Sequence, residues 1–316
     1  MMFEYIFGPV MSSRLGSSLG IDLLGRKICS FDCLYCEIGK TEIKTIKRAD
    51  YVPLKSIVIE LEAWFKTYEQ RPDFITLGGQ GEPCLNSELG EIIRSIKQMQ
   101  MDIPVAVLTN SSMLSDPQVR KELRAADVVL PSLDSLVESE FKKINRPHPA
   151  VDLKKISQGL LDFRQEFEGK IFLEVLVLPG INDSQENLNL LIDFNDQLRP
   201  DRVDITTMSR PGSYLGSELP SSDFLVEWRK AFNTATIPGK VSAKDICTDQ
   251  STIRERVLSS VKRRPQTQEQ LVKALGVSLG DLDAVLSELE GSGLIQSAES
   301  KTDFQKFYLV RGKNAG

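Results

Sequence analysis

The sequence predicts an α/β protein whose parallel sheet curls into a partial barrel, followed by a small C-terminal unit of helices and a hairpin. Between residues 21 and 206, six apolar runs of strand length alternate with amphipathic helical stretches, the order that builds a parallel sheet with helices outside it. Each run ends in a polar or Gly-rich turn, and such turns gather at the C-terminal mouth of a parallel barrel. Beyond about residue 250 the alternation gives way to three successive helical patterns and a hairpin. The chain divides on this reading into a barrel over 1–210, a covering or linking segment over 211–250 and a terminal unit over 251–316.

Composition narrows the class. A chain of 316 residues holds one large domain and a small one. With 41% hydrophobic and 26% charged residues it reads as an ordinary globular protein, and a formal net charge of −5 makes no general case for nucleic-acid binding. No apolar run approaches the ~20 residues of a membrane helix. Met1-Met2-Phe3-Glu4 lacks the basic start of a signal peptide, so a cytoplasmic location and no membrane partner are expected. The single His, His148, excludes a multi-His metal site, and five Cys leave Cys84 and Cys247 outside the cluster of three described below.

The elements follow in order. Phe7-Gly8-Pro9-Val10 and Arg14-Leu15-Gly16-Ser17-Ser18-Leu19-Gly20 are rich in Gly and Ser and read as a loop leading into a short strand, Ile21 to Leu24. The Cys-rich loop comes next. Leu54, Ile57, Val58, Leu61 and Phe65 recur at helical spacing, with Glu60, Glu62 and Lys66 on the wet side. Phe74 to Leu77 is a strand ending in Gly78-Gly79-Gln80-Gly81-Glu82-Pro83. A helix from Ser87, its expected cap, runs to about Met99. Strand Val105 to Leu108 ends in Thr109-Asn110-Ser111-Ser112, and a helix spans roughly Pro117 to Ala125. Strand Val128 to Leu130 ends in Pro131-Ser132-Leu133-Asp134, and Asn145-Arg146-Pro147-His148-Pro149 forms a loop before a helix near Leu153 to Phe167. Strand Ile171 to Val177, a helix from Ser184 to Leu198 capped by Ser184, and strand Val203 to Thr206 complete the alternation. From Pro211 to Gln250 the pattern loosens around one helix, Phe224 to Phe232.

The residues that carry chemistry lie at strand ends. Cys29, Cys33 and Cys36 stand at a C-x3-C-x2-C spacing, with aromatic Tyr35 just before the last. Thiolates ligate iron–sulfur clusters, and a loop this short can wrap three of them around one face of a cubane. A structural zinc site would want four ligands, and no second C-x2-C pair exists; a disulfide would leave one Cys over. The glycines of the 78–81 turn let backbone approach a ligand closely, and Glu82 adds a carboxylate suited to an ammonium group. Asn110, Ser132 and Asp134 follow successive central strands and read as pocket residues, although such side chains also favour turns and caps. Arg146 and His148 read equally as loop surface or as substrate contacts.

The terminal unit carries its own signals. Ile253, Val257, Leu258 and Val261 mark a helix, and Thr267-x-x-Gln270 is a capping box opening a second that Gly276 closes. Ser278 caps a third helix with Leu279, Leu282, Val285, Leu286 and Leu289 on its apolar face. Leu294-Ile295 and Phe307-Tyr308-Leu309 read as a hairpin. This order resembles a winged-helix domain. Its third helix exposes Asp281, Asp283, Glu288 and Glu290, which phosphates would repel, so sequence-specific DNA binding is not expected. Lys262-Arg263-Arg264, Lys301, Lys306, Arg311 and Lys313 leave backbone contact with RNA open.

With these residues in view, the first 210 or so positions resemble the wyosine-synthetase-like branch of the radical S-adenosylmethionine (SAM) Fe–S oxidoreductases. The resemblance rests on Phe7-Gly8-Pro9-Val10, Arg14-Leu15-Gly16, Gly20-Ile21, the Cys loop, Gly79-Gln80-Gly81-Glu82-Pro83, Pro131-Ser132-Leu133-Asp134 and Asn145-Arg146-Pro147-His148-Pro149. It implies a partial (β/α)6 radical SAM barrel with a [4Fe–4S] cluster on Cys29, Cys33 and Cys36. Glu82, Gly79 and Gly81 would lie at the SAM amino group, and Asn110 and Ser132 near its ribose or carboxylate. Tyr35 and Asp134 belong to the same cofactor set. It further implies reductive cleavage of SAM to a 5′-deoxyadenosyl radical that abstracts hydrogen, with an electron donor such as flavodoxin or ferredoxin. True tRNA wyosine synthetases add a second cluster from an N-terminal Cys set, and this chain has no Cys before Cys29. The reading is an oxidoreductase or transferase of unknown substrate. Modification of tRNA or another RNA, with the terminal unit docking an RNA or protein, is one alternative. A redox- or SAM-sensing nucleic-acid-binding regulator is the other.

Overall fold

The computed structural model of the chain describes residues 3–12, 14–69, 71–99, 101–208, 214, 223–233, 250–263, 265–299 and 305–311. Its main sheet has seven strands. A hairpin of β1 (Ile6–Ser12) and β2 (Gly16–Ile21) opens the chain. Two short strands, β3 (Ile28–Cys29) and β4 (Ile43–Lys44), pair beside the Cys loop. The sheet continues with β5 (Phe74–Leu77), β6 (Val105–Thr109), β7 (Val128–Pro131), β8 (Lys170–Leu176) and β9 (Arg202–Thr206). Its order is β1-β2-β5-β6-β7-β8-β9. From β2 onward every pairing is parallel, and only β1 runs antiparallel. Five of these six parallel strands are those the alternation predicts; the first lies at Gly16–Ile21, and the chain leaves the sheet after Ile21 where a strand to Leu24 is expected.

Helices cover one face. They are α1 (Leu54–Thr67), α2 (Leu89–Gln98), α3 (Pro117–Leu123), α4 (Glu138–Asn145), α5 (Leu153–Glu166) and α6 (Gln185–Leu198). Alternate strand residues such as Ile75, Val107, Val129, Ile171, Leu173 and Ile205 meet Leu61, Ile92, Leu160 and Phe163 from these helices in the main core. The other strand face is concave and holds a smaller apolar cluster of Leu15, Ala106, Val128 and Leu130, with Phe74, Leu108 and Phe172 beside it. Its two edges are drawn together by charge. Arg14, in the β1–β2 turn, pairs with Glu174 of β8, while Arg202 of β9 donates to the Arg14 carbonyl (3.1 Å) and lies over the Phe172 ring. That tie spans the curled sheet from the β1–β2 turn to β8 and β9.

The opening differs from its expected form. Residues 6–21 are a hairpin rather than a loop, because Gly20 faces Phe7 across the ladder and leaves room for its ring. Gly and Ser density hid the strand period there. The outer edge of β1 is occupied: the Glu60 carboxylate accepts from the backbone N–H groups of Glu4, Tyr5 and Ile6 at 2.8, 2.8 and 3.1 Å. Glu60 is therefore not simply on the wet side of α1. Helix α4 was not foreseen, since it buries only Phe141, Ile144 and Asn145. Ser184 caps α6 as expected, accepting from Asn187 N–H, but Ser87 does not cap α2. There Asn86 accepts from Glu88 N–H, and Glu88 in turn accepts from Leu54 N–H at the start of α1.

Helix α7 (Leu225–Ala231) packs on β9. Residues 211–213, 215–222 and 234–249 lie outside the described residues, and with them Cys247; so do Arg264, Lys301 and Lys313. The C-terminal unit comprises α8 (Gln250–Arg263), β10 (Gln266–Thr267), α9 (Gln268–Leu275), α10 (Leu279–Gly291), β11 (Ile295–Glu299) and β12 (Lys306–Val310). Its strands form a separate sheet in the order β10-β12-β11. Ile253, Val257, Leu271, Leu282, Leu286 and Leu289 make a core of its own. The Thr267–Gln270 capping box, the Gly276 C-cap and the Ser278 N-cap all form. Helices α8 and α9 pack on β1, with the Arg256 guanidinium over the Tyr68 ring. Among the described residues no helix is long and apolar enough to cross a membrane.

Two glycines separate packing from propensity. A Cβ on Gly159 of α5 would lie 2.6 Å from the Leu114 backbone, whereas one on Gly280 of α10 meets nothing within 4 Å. Gly159→Ala should destabilise the barrel by about 1–3 kcal/mol as an overpacked contact. Gly280→Ala should stabilise the C-terminal unit by about 0.5–1 kcal/mol. Urea midpoints at unchanged slope measure both, and equal shifts of one sign would refute the packing described.

Candidate active site

The Cys loop is held at its backbone. Strand β3 carries Cys29 into the loop, and Thr45 N–H returns to the Cys29 carbonyl at 3.0 Å. On the far side the end of α4 grips it: Asp32 N–H donates to the Asn145 carbonyl and Leu34 N–H to that of Ile144, at 3.1 and 2.9 Å. Arg146 can cap α4 there because it adopts a left-handed conformation. His148 N–H then donates to the Ser30 carbonyl at 2.7 Å. The Asn145–Pro149 segment thus grips the loop through its main chain, and the side chains of Asn145 and Arg146 add to that hold.

Side chains reach the three sulfurs from different elements. The Asn110 amide points at Cys29 Sγ (3.5 Å) and donates to Ser30 Oγ (2.9 Å). The Asn145 amide points at Cys33 Sγ (3.6 Å). Lys27 Nζ stands 2.8 Å from Cys36 Sγ, with Lys27 only 6% exposed. Burial works against its charge, but Cys36, Cys29 and Cys33 outweigh that and raise its pKa. Burial pushes the Cys29 thiol up to about 11, opposed by Lys27. Cys33 is raised well above the usual thiol range by burial and then by its two neighbouring thiols. Among the described residues no group of three or more His, Cys, Asp or Glu closes on a single metal ion. A cubane asks for another geometry, one thiolate on each of three irons with the sulfurs held apart, and three converging thiols beside a buried cation fit that demand.

The Gly-rich turn presses on the same strand. A Cβ on Gly81 would lie 1.7 Å from the Ile28 carbonyl oxygen, so no side chain fits there, and Glu82 N–H donates to that oxygen at 3.2 Å. Gly79 packs on Asp22, whose carboxylate also receives the Gln80 amide at 3.0 Å. Glu82 has a different employment from the open carboxylate the sequence suggests. It is 1% exposed and accepts from Cys84 N–H (3.0 Å), Thr109 Oγ1 (2.7 Å) and Asn110 N–H (2.6 Å). Burial raises its pKa against those three donors. Cys84 lies fully buried beside it, its thiol pKa raised by burial and by the Glu82 charge.

Asp134 is likewise a tie point rather than an open pocket wall. At 2% exposure, its Oδ2 accepts from Tyr35 Oη and Asn145 Nδ2, both at 2.6 Å, and Oδ1 from Leu176 N–H at 2.9 Å. Tyr35 therefore turns its hydroxyl inward, and burial followed by the Asp134 charge raises its pKa well above the usual phenol range. Asn110 and Ser132 stay half-buried. With Phe31, Tyr35, Asp134, Phe141 and Asn145 they line a cavity of ≈ 10 Å³ under the Cys loop. Sheet register extends them into a row: Thr109 pairs with Pro131, so Asn110 stands level with Ser132; Ser132 pairs with Glu174, and Glu174 with Asp204. This polar row crosses the concave face from the Cys loop to Arg14. Burial raises the Glu174 pKa despite Arg14. A larger cavity of ≈ 360 Å³ lies away from the thiols, between the hairpin, α1 and α8, where Gln80 and Arg256 reach its wall.

Arg146 pairs with Asp32 (3.3 Å) and stacks on Tyr214, whose hydroxyl also reaches Asp32 at 2.7 Å. His148 accepts from Ala150 N–H. Sequence reasoning missed Lys27 and the side chain of Asn145. A lysine two positions before Cys29, at the entry to the Cys loop, was the available signal for the first.

The chain is similar to known proteins in sequence and in fold. The model of the radical SAM superfamily matches residues 26–191, from the Cys loop as far as α6, a span that includes Asn110, Ser132 and Glu174. A protein named GTPase Obg from Brachyspira hyodysenteriae is 35% identical over 289 residues, covering 90% of this chain and 42% of that one. A UPF0026 protein of Helicobacter pylori is 35% identical over 222 residues, 70% of this chain and 71% of its own. Among solved structures, Streptococcus suis SuiB bound to its precursor peptide SuiA superposes with a TM-score of 0.50 at 14% identity, over 68% of this chain and 47% of that chain, a likeness of fold.

Asp134→Asn tests the tie point. It sets an NH2 group against a donor and should cost about 1–3 kcal/mol as an unmade buried hydrogen bond. Burial, the largest influence, raises the Asp134 pKa from 3.8 against its three donors. Its contribution to stability is therefore full below the ordinary carboxylate range and is lost as pH rises through the raised folded value. The deficit of Asp134→Asn should accordingly be largest in acid and shrink as pH rises, in urea titrations at several pH values. A deficit that grows with pH would show the charge to be favoured, not disfavoured, by the fold.

Proposed function

The chain belongs to the radical SAM superfamily, and on that premise we propose that Cys29, Cys33 and Cys36 hold its cluster and that the concave face seats its substrate. As a radical SAM enzyme it uses a [4Fe–4S] cluster and SAM. When bound, these supply an electron-driven cleavage of the SAM sulfonium to methionine and a 5′-deoxyadenosyl radical, which abstracts hydrogen.

One observation carries the residue assignment: two of the three thiols meet polar side chains beside the concave face, Cys29 the strand-end Asn110 and Cys33 the Asn145 of α4. On this reading Asn110 and Ser132 face SAM. Gly79 and Gly81 bring the turn's backbone close, while Glu82, Asp134 and Tyr35 hold the walls in place. The polar row ending at Glu174 and Asp204 gives the substrate donors and acceptors on a face otherwise built from Phe74, Leu108 and Phe172. A low-potential donor such as flavodoxin or ferredoxin supplies the electron.

We read the C-terminal unit as a winged helix that docks a large substrate or partner rather than reading DNA sequence. The order helix, strand, helix, helix, hairpin supports this, as do the carboxylates of α10. Glu288 pairs with Arg254 and Glu290 with Lys306, so that helix carries its cations on neighbouring elements and not on its own face.

Anaerobic reconstitution tests the assignment. Serine at Cys29, Cys33 or Cys36 should abolish the broad visible absorption, the reduced-state EPR signal and the formation of methionine and 5′-deoxyadenosine. Cys84→Ser should keep all three, because that thiol is enclosed with Glu82 and Thr109. Loss of the cluster from Cys84→Ser would refute a three-ligand site.

A further inference from the structure

We propose that Lys27 is a fixed cationic donor to the Cys36 sulfur that sets the cluster's reduction potential, making the site easier to reduce. The inference rests on the three-cysteine reading above. Its basis is positional. Lys27 lies on the stretch leading into β3, two residues before Cys29, and β3 is clamped on both sides: Glu42 and Ile43 N–H donate to the Lys27 carbonyl, and Gly81 packs on Ile28. The side chain is thereby turned inward, 6% exposed, with Nζ 2.8 Å from Cys36 Sγ. Its neighbour Arg26 is exposed and pairs with Glu42 instead.

A buried ammonium needs an anion, because desolvation is costly for an uncompensated charge. Neutral thiols do not supply one. Three thiolates bound to iron do, and the anionic site gains a further negative charge when one electron arrives from a low-potential donor. No bond forms or breaks in that step; the cluster is reduced and the donor oxidised. A cation held against one of its sulfurs stabilises the product more than the reactant. Hydrogen bonds to cluster sulfurs and local net charge are among the terms that set such potentials. Lys27 supplies both, and it acts through the cluster, so it is a positioning residue.

The test is an EPR-monitored redox titration of the cluster-loaded, SAM-free protein. Lys27→Met should shift the reduction equilibrium at least tenfold toward the oxidised form, about 59 mV more negative for a one-electron couple. Lys27→Gln, which keeps a donor and loses the charge, should shift in the same direction by less, and Lys27→Arg should stay near the wild type. A midpoint unchanged or more positive in both Lys27→Met and Lys27→Gln, with full iron content, overturns the proposal. So does failure of both variants to take up iron while retaining native circular dichroism, which would make Lys27 an assembly residue. If serine at any one of the three cysteines leaves the cluster intact, it is the three-cysteine reading that fails, and that result appears before any titration.

Discussion

A single buried carboxylate fixes the geometry on which the rest depends. Glu82 joins the turn after β5 to the end of β6 by accepting from Cys84, Thr109 and Asn110. Its own N–H meanwhile ties that turn to Ile28, beside Cys29. Asn110, whose main chain is fixed by Glu82, then sends its amide to Cys29 and Ser30. Sheet, Gly-rich turn and Cys loop are thus referred to one atom group. An anion in a low-dielectric interior is strongly disfavoured unless its acceptor sites are filled. That cost makes the arrangement all-or-none: move any donor and the carboxylate is left wanting.

Asp134 repeats the device two strands further on, after β7. It gathers Tyr35 from the Cys loop, Asn145 from the end of α4 and the backbone of β8, while its own carbonyl accepts from Asn182 and Asn187. The two carboxylates stand on opposite sides of the loop, one governing Cys29 through Asn110 and the other Cys33 through Asn145. Lys27 meets the third sulfur directly. Each cysteine has its own positioning residue, and each of those belongs to a different element. A loop of three thiols would otherwise be free to collapse on itself.

Much of this was legible in the chain. The strand–helix alternation of 74–206 is strongly periodic, and the expected strands lie within a residue or so of those observed. The capping box at Thr267 and the cap at Ser184 formed because local chemistry there is not overridden by packing. The failures have physical causes. Glu82 and Asp134 were expected to face ligand because isolated carboxylates are normally solvated; most of the donors that enclose them arrive from distant elements, the end of β6 for Glu82 and the Cys loop, α4 and β8 for Asp134. Helix α4 buries too few residues to show a period, and Gly20 in the hairpin makes room for Phe7 rather than a turn. Lys27 was passed over because a charge beside a turn usually reads as surface. Its burial comes from strand pairing with β4, a contact at longer range than periodicity can report.

The treatment of β1 has a consequence for how the molecule behaves among its own copies. A terminal strand with unpaired amides is a template on which another chain can add a strand. Here the Glu60 carboxylate occupies the amides of residues 4–6, and α8 and α9 lie against the strand. The C-terminal unit is therefore a chaperoning cover as well as an appendage, shielding the barrel from templated self-association. Any cut, insertion or partner that lifts it would bare a sticky margin, with a lone carboxylate as its last guard. Protection of the barrel's margin and placement of the C-terminal unit are thereby one property.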